Sequence, residues 1–370
     1  MTKVGVGIIG GGLMGREVAS AFGRWFMLND FPVKPELVAV ADLSEKALQW
    51  FEHLPGVGQR TKEYHELLDN PAIEVVYVAV PHDQHEKVYT DVFTAGKDLF
   101  AEKPFGIDFD AAMKIAMAAR VSGRFVRCSS EFPFFPGAQR VFDEVHSGRL
   151  GKIIEVRAGF WHSSDLDPQK PINWKRQVAT CGKIGVMGDL GMHVVHVPFR
   201  LGFKPKRVFA QLQNIVTERP DGKGGMAPCD TWDNAILHVD TDHGIPMRLE
   251  MKRIAPGEMN TWWIEVLGMD GSVRFSTKHP KTFWRFRREG EQIWEQIEVG
   301  QVSAFPVATG PIFEFGFPDA MLQMWAAYLA ERTGALGDRF GCAKPDEALL
   351  SHKLFQAALE SDETKSVVVL

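Results

Sequence analysis

From residue 3 to about residue 130, short apolar runs alternate with stretches of helical period. The runs cover 4–9, 37–41, 75–80, 98–101 and 125–128; between them, 14–27, 44–51, 85–95 and 109–122 place apolar side chains three and four apart. Apolar strands separated by amphipathic helices predict a parallel sheet covered on both faces. Asp108 stands just before the last of these helices, where its carboxylate suits a free N–H of the first turn.

Beyond Pro136 the pattern changes. A helix to about residue 147 leads to a strand over 153–162, a polar stretch (SSDLDPQKPINW) and a second helix over 188–201. Strand-like runs then follow at 207–215, 235–239, 247–251, 263–267, 273–276, 283–286 and 294–299, separated by turn signals such as Asp270-Gly271. Helices over 320–332 and 346–361 close the chain, and PDGKGGMAP (220–228) reads as a flexible loop.

This predicts an α/β Rossmann domain over 1–130 and an α+β domain over 131–370, with a large, mostly antiparallel, open-faced sheet. The C-terminal helix is expected to pack back on the first domain. Strands outnumber the helices available to cover them, so one sheet face is expected to be free and apolar, drawing on Val208, Leu212, Ile236 and Trp263. A homodimer or homotetramer would bury such a face, with 305–317 as a further contact.

Composition narrows the partners. The 370 residues are 45% hydrophobic and carry a net charge of −5, with no basic footprint for nucleic acid and no polybasic membrane anchor. Small molecules and further copies of the chain remain as partners. Cys128, Cys181, Cys229 and Cys342 are far apart and form no Cys-x-x-Cys pair, as expected of reduced thiols in a cytoplasmic protein. No targeting or membrane-spanning segment is read in the sequence.

GIIGGGLMG sets Gly10, Gly12 and Gly15 at Gly-x-Gly-x-x-Gly spacing directly after the first strand and at the start of a helix. Such glycines serve a tight turn, a backbone approach to pyrophosphate and close packing of helix on strand. The second strand ends at Asp42, placed to accept hydrogen bonds from the adenosine ribose and to repel a 2′-phosphate, which favours NAD over NADP. Asp42 falls later than the usual spacing of ~20 residues, the excess lying in FMLNDFPVKP. The fourth strand runs into Glu102-Lys103-Pro104, at the end of a parallel strand where open α/β sheets place ligands. A partly dry setting there would lower the lysine pKa; from position alone a surface lysine reads as well.

The pieces GIIGGGLMG, VAVPHDQH (78–85), AEKP (101–104), GVMGDLGMHVVH (185–196) and the closing ALLSHKLFQAALESDETKSVVVL span the chain in order. Together they resemble the Gfo/Idh/MocA family of sugar and cyclitol dehydrogenases. The resemblance implies an NAD-dependent enzyme acting on the CH–OH group of a sugar, anhydrosugar or cyclitol. The expected cofactor-binding set is Gly10, Gly12, Leu13, Met14, Gly15, Asp42, Pro81, His85, Glu102 and Lys103. It also implies that Lys103 positions the reacting hydroxyl and contacts the nicotinamide ribose, that His193 exchanges the hydroxyl proton, and that Asp189 supports both. Asp189 and His193 are four apart and share one helical face, and histidine suits proton exchange near neutrality; a core or capping histidine is the ordinary alternative.

Two departures stand out: His196 replaces an Asp common in the family, and His82 replaces an Asn. The two His-x-x-His pairs lack the four-residue spacing and further ligands of a helical zinc site, so no metal is expected. For substrate contacts the stretch 160–175 offers Trp161, His162, Trp174 and Lys175 beside Lys103, Asp189 and His193. The same features allow two alternatives: a hydrolase or lyase that retains NAD and uses transient oxidation, or a non-enzymatic NAD-binding sensor.

Overall fold

The structure, a computed structural model, describes residues 2–370. Six parallel strands, β1 (Thr2–Ile9), β2 (Val33–Ala41), β3 (Gln59–Thr61), β4 (Val75–Val78), β5 (Asp98–Ala101) and β6 (Val126–Cys128), form one sheet in the order β3-β2-β1-β4-β5-β6. Helices α1 (Leu13–Gly23), α2 (Glu45–Trp50), α3 (Tyr64–Leu68), α4 (His85–Thr94) and α5 (Phe109–Ser122) connect them. Every residue of β4 is buried, as a strand covered on both faces requires. Asp108 caps α5, accepting from the Ala111 N–H at 2.8 Å. Strand order reverses between β1 and β4, which opens a crevice at their carboxyl ends. β3 and α3 were not expected; at three and five residues they are too short to show a period.

The rest of the chain contributes α6 (Pro136–His146), β7 (Ile153–Trp161), α7 (Val178–Cys181), α8 (Val186–Arg200), β8 (Pro205–Gln213), β9 (Glu218–Pro220) and β10 (Met226–Pro228). Then follow β11 (Asn234–Thr241), β12 (Pro246–Lys252), β13 (Thr261–Gly268), β14 (Gly271–Ser276), β15 (Thr282–Arg287), β16 (Trp294–Glu298), α9 (Phe317–Arg332), α10 (Pro345–Thr364) and β17 (Val368–Val369). Nine of these strands form a second sheet, in the order β16-β15-β14-β13-β7-β12-β11-β8-β17. Only the β7–β12 pair is parallel.

Helices α6, α8 and α10 pack on one face of this sheet. Its inner rows are apolar, for example Val156, Ala158 and Phe160 on β7 and Ala235, Leu237 and Val239 on β11. Val208 belongs to this covered face, 1% exposed, and Leu212 shares its parity on β8, so neither lies on the free face as expected. Ile236 and Trp263 do face outward. They share that face with ion pairs, Arg157 to Glu155 and Glu265, and Arg248 and Lys252 to Glu250. The free face is therefore charged as well as aromatic.

One further expectation is corrected. Residues 220–228 are no free loop: they take in the end of β9, all of β10 and the hairpin turn 221–225, fastened by Asp221 Oδ1, which accepts from the N–H groups of Lys223 (2.7 Å) and Gly225 (2.9 Å). In 305–317, Phe305 and Phe315 are buried within the chain, Phe305 lying edge-on to Phe31, while Ile312 and Phe313 stay exposed. Near the end of the chain, α9 returns to the first sheet, packs on α1 and sets Trp325 among Phe22, Tyr77 and Phe100. α10 packs on both α5 and α8.

Candidate active site

The β1–α1 turn is built around its glycines. Gly10 has φ +105°, where L side chains strain, and a Cβ there would lie 2.2 Å from the Ala79 carbonyl. At Gly15 a Cβ would meet the Gly10 carbonyl at 2.2 Å. At Gly12 it would meet nothing within 4 Å; it would project into the open space over the helix N-terminus, where a dinucleotide's pyrophosphate needs the backbone bare. Leu13 is exposed and Met14 half-buried at the same helix start. Asp42 reaches back to the turn, Oδ2 accepting from the Gly11 N–H and Oδ1 from the Ser44 N–H, both at 2.7 Å. Ser44, not Asp42, caps α2. A groove of about 470 Å³ runs from here past Asp42, Pro81, Asp83 and Gln84 to Thr180. These residues fit a dinucleotide.

Two residues of the expected cofactor set are turned away from this groove. His85 is fully buried, its ring between the carbonyls of Pro104 (2.8 Å) and Val80 (3.0 Å), and burial depresses its pKa to about 4. It braces two loops from behind. The Glu102 carboxylate is occupied by the hydroxyls of Tyr77 (2.5 Å) and Ser129 (2.6 Å) and by the Lys103 N–H (3.2 Å).

At the next strand end, Lys103 meets α8. Its ammonium donates to the backbone carbonyl of Asp189 at 2.6 Å and to Oδ1 at 3.0 Å. Lys175 donates to the same Oδ1 at 2.9 Å, and the fully buried Arg253 donates to Oδ2 at 3.2 Å. One carboxylate thus gathers three cations from three separate parts of the chain. Burial alone would raise the Asp189 pKa, but Lys103, Lys175 and His82 hold it well below the usual carboxylate range. The dry setting expected to lower the Lys103 pKa is present, yet Asp189 and Glu102 outweigh it, and the ammonium sits above the ordinary lysine value. Lys103 is a fixed cation here.

His193, one turn along α8 from Asp189, is buried. Burial, assisted by the Lys103 charge, depresses its pKa well below 6.5, so the ring is neutral at pH 7. Phe132 and Phe160 stand edge-on to it at 5.2 and 5.6 Å, and Trp262 Nε1 donates to its backbone carbonyl at 2.8 Å. His196 belongs elsewhere: its ring lies 4.9 Å from that of Phe340 and beside Arg200, which pairs with Glu347.

Of the expected substrate contacts, Trp174 lies edge-on to His82 at 4.7 Å with the Lys175 ammonium over it, and His162 is partly buried near Phe160. Trp161 is not in the cleft. Successive strand residues point to opposite faces, so with Phe160 turned to His193, Trp161 faces outward against Trp263 at 5.1 Å. Phe160 opens the stretch expected to contact substrate, whereas Arg253 and Glu131 were not expected. Glu131 carried a signal, an acid among CSSEFPFFP at the carboxyl end of β6.

This is the architecture of an NAD-binding Rossmann oxidoreductase with a second, sheet-based half. The family model for the oxidoreductase family with NAD-binding Rossmann fold matches residues 4–130, and the GFO/IDH/MocA C-terminal domain matches 138–274. The chain belongs to the Gfo/Idh/MocA family. It is similar to levoglucosan dehydrogenase of Pseudarthrobacter phenanthrenivorans, 24% identical over 331 residues, covering 85% of this chain and 83% of that protein. It is also similar to trans-1,2-dihydrobenzene-1,2-diol dehydrogenase of Bos taurus, 28% identical over 236 residues, 60% of this chain and 67% of the other. Among solved structures, levoglucosan dehydrogenase in complex with NADH and L-sorbose superposes with a TM-score of 0.92 at 21% identity, covering 100% of this chain and 99% of that one. An NAD-binding oxidoreductase from Klebsiella pneumoniae gives 0.90 at 24% identity, covering 100% and 99%. Among the described residues no helix is long and apolar enough to cross a membrane.

Proposed function

We propose that the chain is an NAD-dependent dehydrogenase that oxidises a hydroxyl-bearing carbon of a sugar, anhydrosugar or cyclitol. The carrying observation is the Lys103–Asp189 pair, with neutral His193 one turn along α8, at the carboxyl end of β5 in the same parallel sheet whose β1 and β2 end at the glycine turn and at Asp42. The similarity to levoglucosan dehydrogenase supports the substrate class.

The glycine turn and Asp42 hold the pyrophosphate and the adenosine ribose; the nicotinamide of bound NAD supplies a hydride acceptor. Lys103, kept charged by Asp189, holds the substrate hydroxyl as a hydrogen-bond donor. His193, unprotonated at neutral pH, takes the hydroxyl proton as the C–H bond breaks. Asp189 fixes Lys103, Lys175 and Arg253 around the substrate, and Trp174 and His162 line it. Residues 1–130 act as the NAD domain and 131–370 as the substrate and oligomerisation domain.

The reading extends to a homodimer or homotetramer formed through the free face of the nine-stranded sheet, where Trp161 and Trp263 lie among the ion pairs. Four free, buried cysteines support a cytoplasmic location. The test is absorbance of NADH on incubating the purified protein and NAD with a panel of sugars, inositols and anhydrosugars. Reduction with at least one member is expected; none with any member overturns the reading.

A further inference from the structure

Oε2 of Glu131 and Nδ1 of His193 are buried, face each other at 3.7 Å, and have no hydrogen-bond partner. The gap is about 0.5 Å beyond the outer limit of an N–H···O hydrogen bond. Buried polar atoms left unpaired are rare and call for an explanation. The imidazole cannot readily turn away, because Phe132 and Phe160 flank it and Trp262 fastens its backbone.

We propose that Glu131 is the positioning residue of His193. Its carboxylate accepts the Nδ1–H, sets the tautomer that leaves Nε2 free for the cleft, and takes over the Nδ1 proton when Nε2 receives one from the substrate. This rests on the reading of His193 as proton acceptor. The balance is complete within the named reaction. The substrate C–H leaves as hydride, with both electrons, to NAD; the hydroxyl proton goes to Nε2; the Nδ1 proton goes to Oε2. The ring ends neutral and the glutamate uncharged, to be discharged to solvent afterwards. No imidazolium then has to persist beside the Lys103 ammonium.

The surroundings of Glu131 suit a group that changes charge. Burial, then the Glu102 carboxylate following β5, push its carboxyl up to about 8, while Lys103 pulls the other way. Tyr77 on β4 and Lys103 both sense its charge, α8 presents His193, and the Met324 sulfur of α9 accepts from the neighbouring Ser130 N–H. His193 has shed its proton far below neutrality, so a rise in the oxidative rate through about pH 8 belongs to Glu131.

Two measurements decide it. In the wild-type protein, the ¹⁵N resonances of the His193 ring should show the Nδ1–H tautomer above pH 8. In Glu131→Gln, which keeps shape and an acceptor oxygen, the oxidative kcat above pH 8 should fall tenfold or more and the limb near pH 8 should flatten, with Kd for NAD unchanged. An Nε2–H tautomer in the wild type, or wild-type kcat with an unchanged limb in the variant, overturns the proposal. The tautomer measurement requires neither the variant to fold nor any substrate. A wild type that oxidises nothing overturns the dehydrogenase reading, and the ring tautomer still judges Glu131.

Discussion

Lys103 holds Asp189 twice, through the backbone carbonyl at 2.6 Å and the carboxylate at 3.0 Å, and so ties the end of β5 to the first turn of α8. Asp189 is almost wholly buried, and its carboxylate is the shared acceptor for Lys175 and Arg253 as well. Asp189→Asn leaves those cations without their counter-charge, and breaking a buried pair costs about 3–5 kcal/mol. Because its carboxyl is held well below the usual range, the stabilisation is complete above the unfolded value, ~4, and is lost as pH falls through the lower folded value. Urea unfolding at pH 7 should show the loss. An unchanged midpoint would contradict the central role given to Asp189.

His193→Ala removes the proposed proton acceptor without touching the dinucleotide groove. Its oxidative kcat should drop by about 10²- to 10⁴-fold, while calorimetric Kd for NAD stays at the wild-type value. Near wild-type turnover would show the acceptor to be another group, and His196, pressed against Phe340 and Arg200, is not placed to be it.

The ribose end makes a separate prediction. Asp42→Ala removes the charge that a 2′-phosphate would meet, together with the acceptor for the Gly11 N–H. NAD should bind more weakly and the NAD/NADP affinity ratio should narrow by about tenfold, equivalent to 1.4 kcal/mol. Equal affinity of the wild type for both cofactors refutes this.

Six histidines titrate low because they are buried: His82, His162, His193, His85 (about 4), His196 and His352 (both about 3). The unfolded chain, with histidines near 6.5, binds protons that the folded chain refuses. Stability therefore rises with pH up to about 6.5 and is lost on acidification below it. Scanning calorimetry at pH 7.5 and 5.5 should give a Tm lower by several degrees at pH 5.5; equal values would show these rings to be protonated in place.

Much of this was legible in the chain. β5 and α5 fall where their apolar periods put them, and Gly10 and Asp42 are marked by their place after the first two strands, whereas Lys103, Asp189 and His193 stood out only through the family resemblance. Trp161 was misplaced although β7 held the answer: Glu155 and Arg157 share its parity, whereas Val156 and Ala158 share that of Phe160. Arg253 had no local signal, since only the register of β12 beside β7 brings its guanidinium under α8. His85 and Glu102 sit in the expected loops, but which way a side chain turns there is decided by Tyr77, Ser129 and Pro104, partners that no single motif contains.

The return of α9 to the first sheet has a mechanical consequence. The two sheets are joined by the outgoing chain after β6, by the segment that brings Trp325 back among Phe22, Tyr77 and Phe100, and by α10, which leads on to β17 in the second sheet. Halves tied at three points have little freedom to swing apart, so loading and release of ligands should proceed by a small torsion between them. A fragment cut before residue 317 would not be an isolated nucleotide module; it would be a sheet with one flank stripped of its aromatic cover.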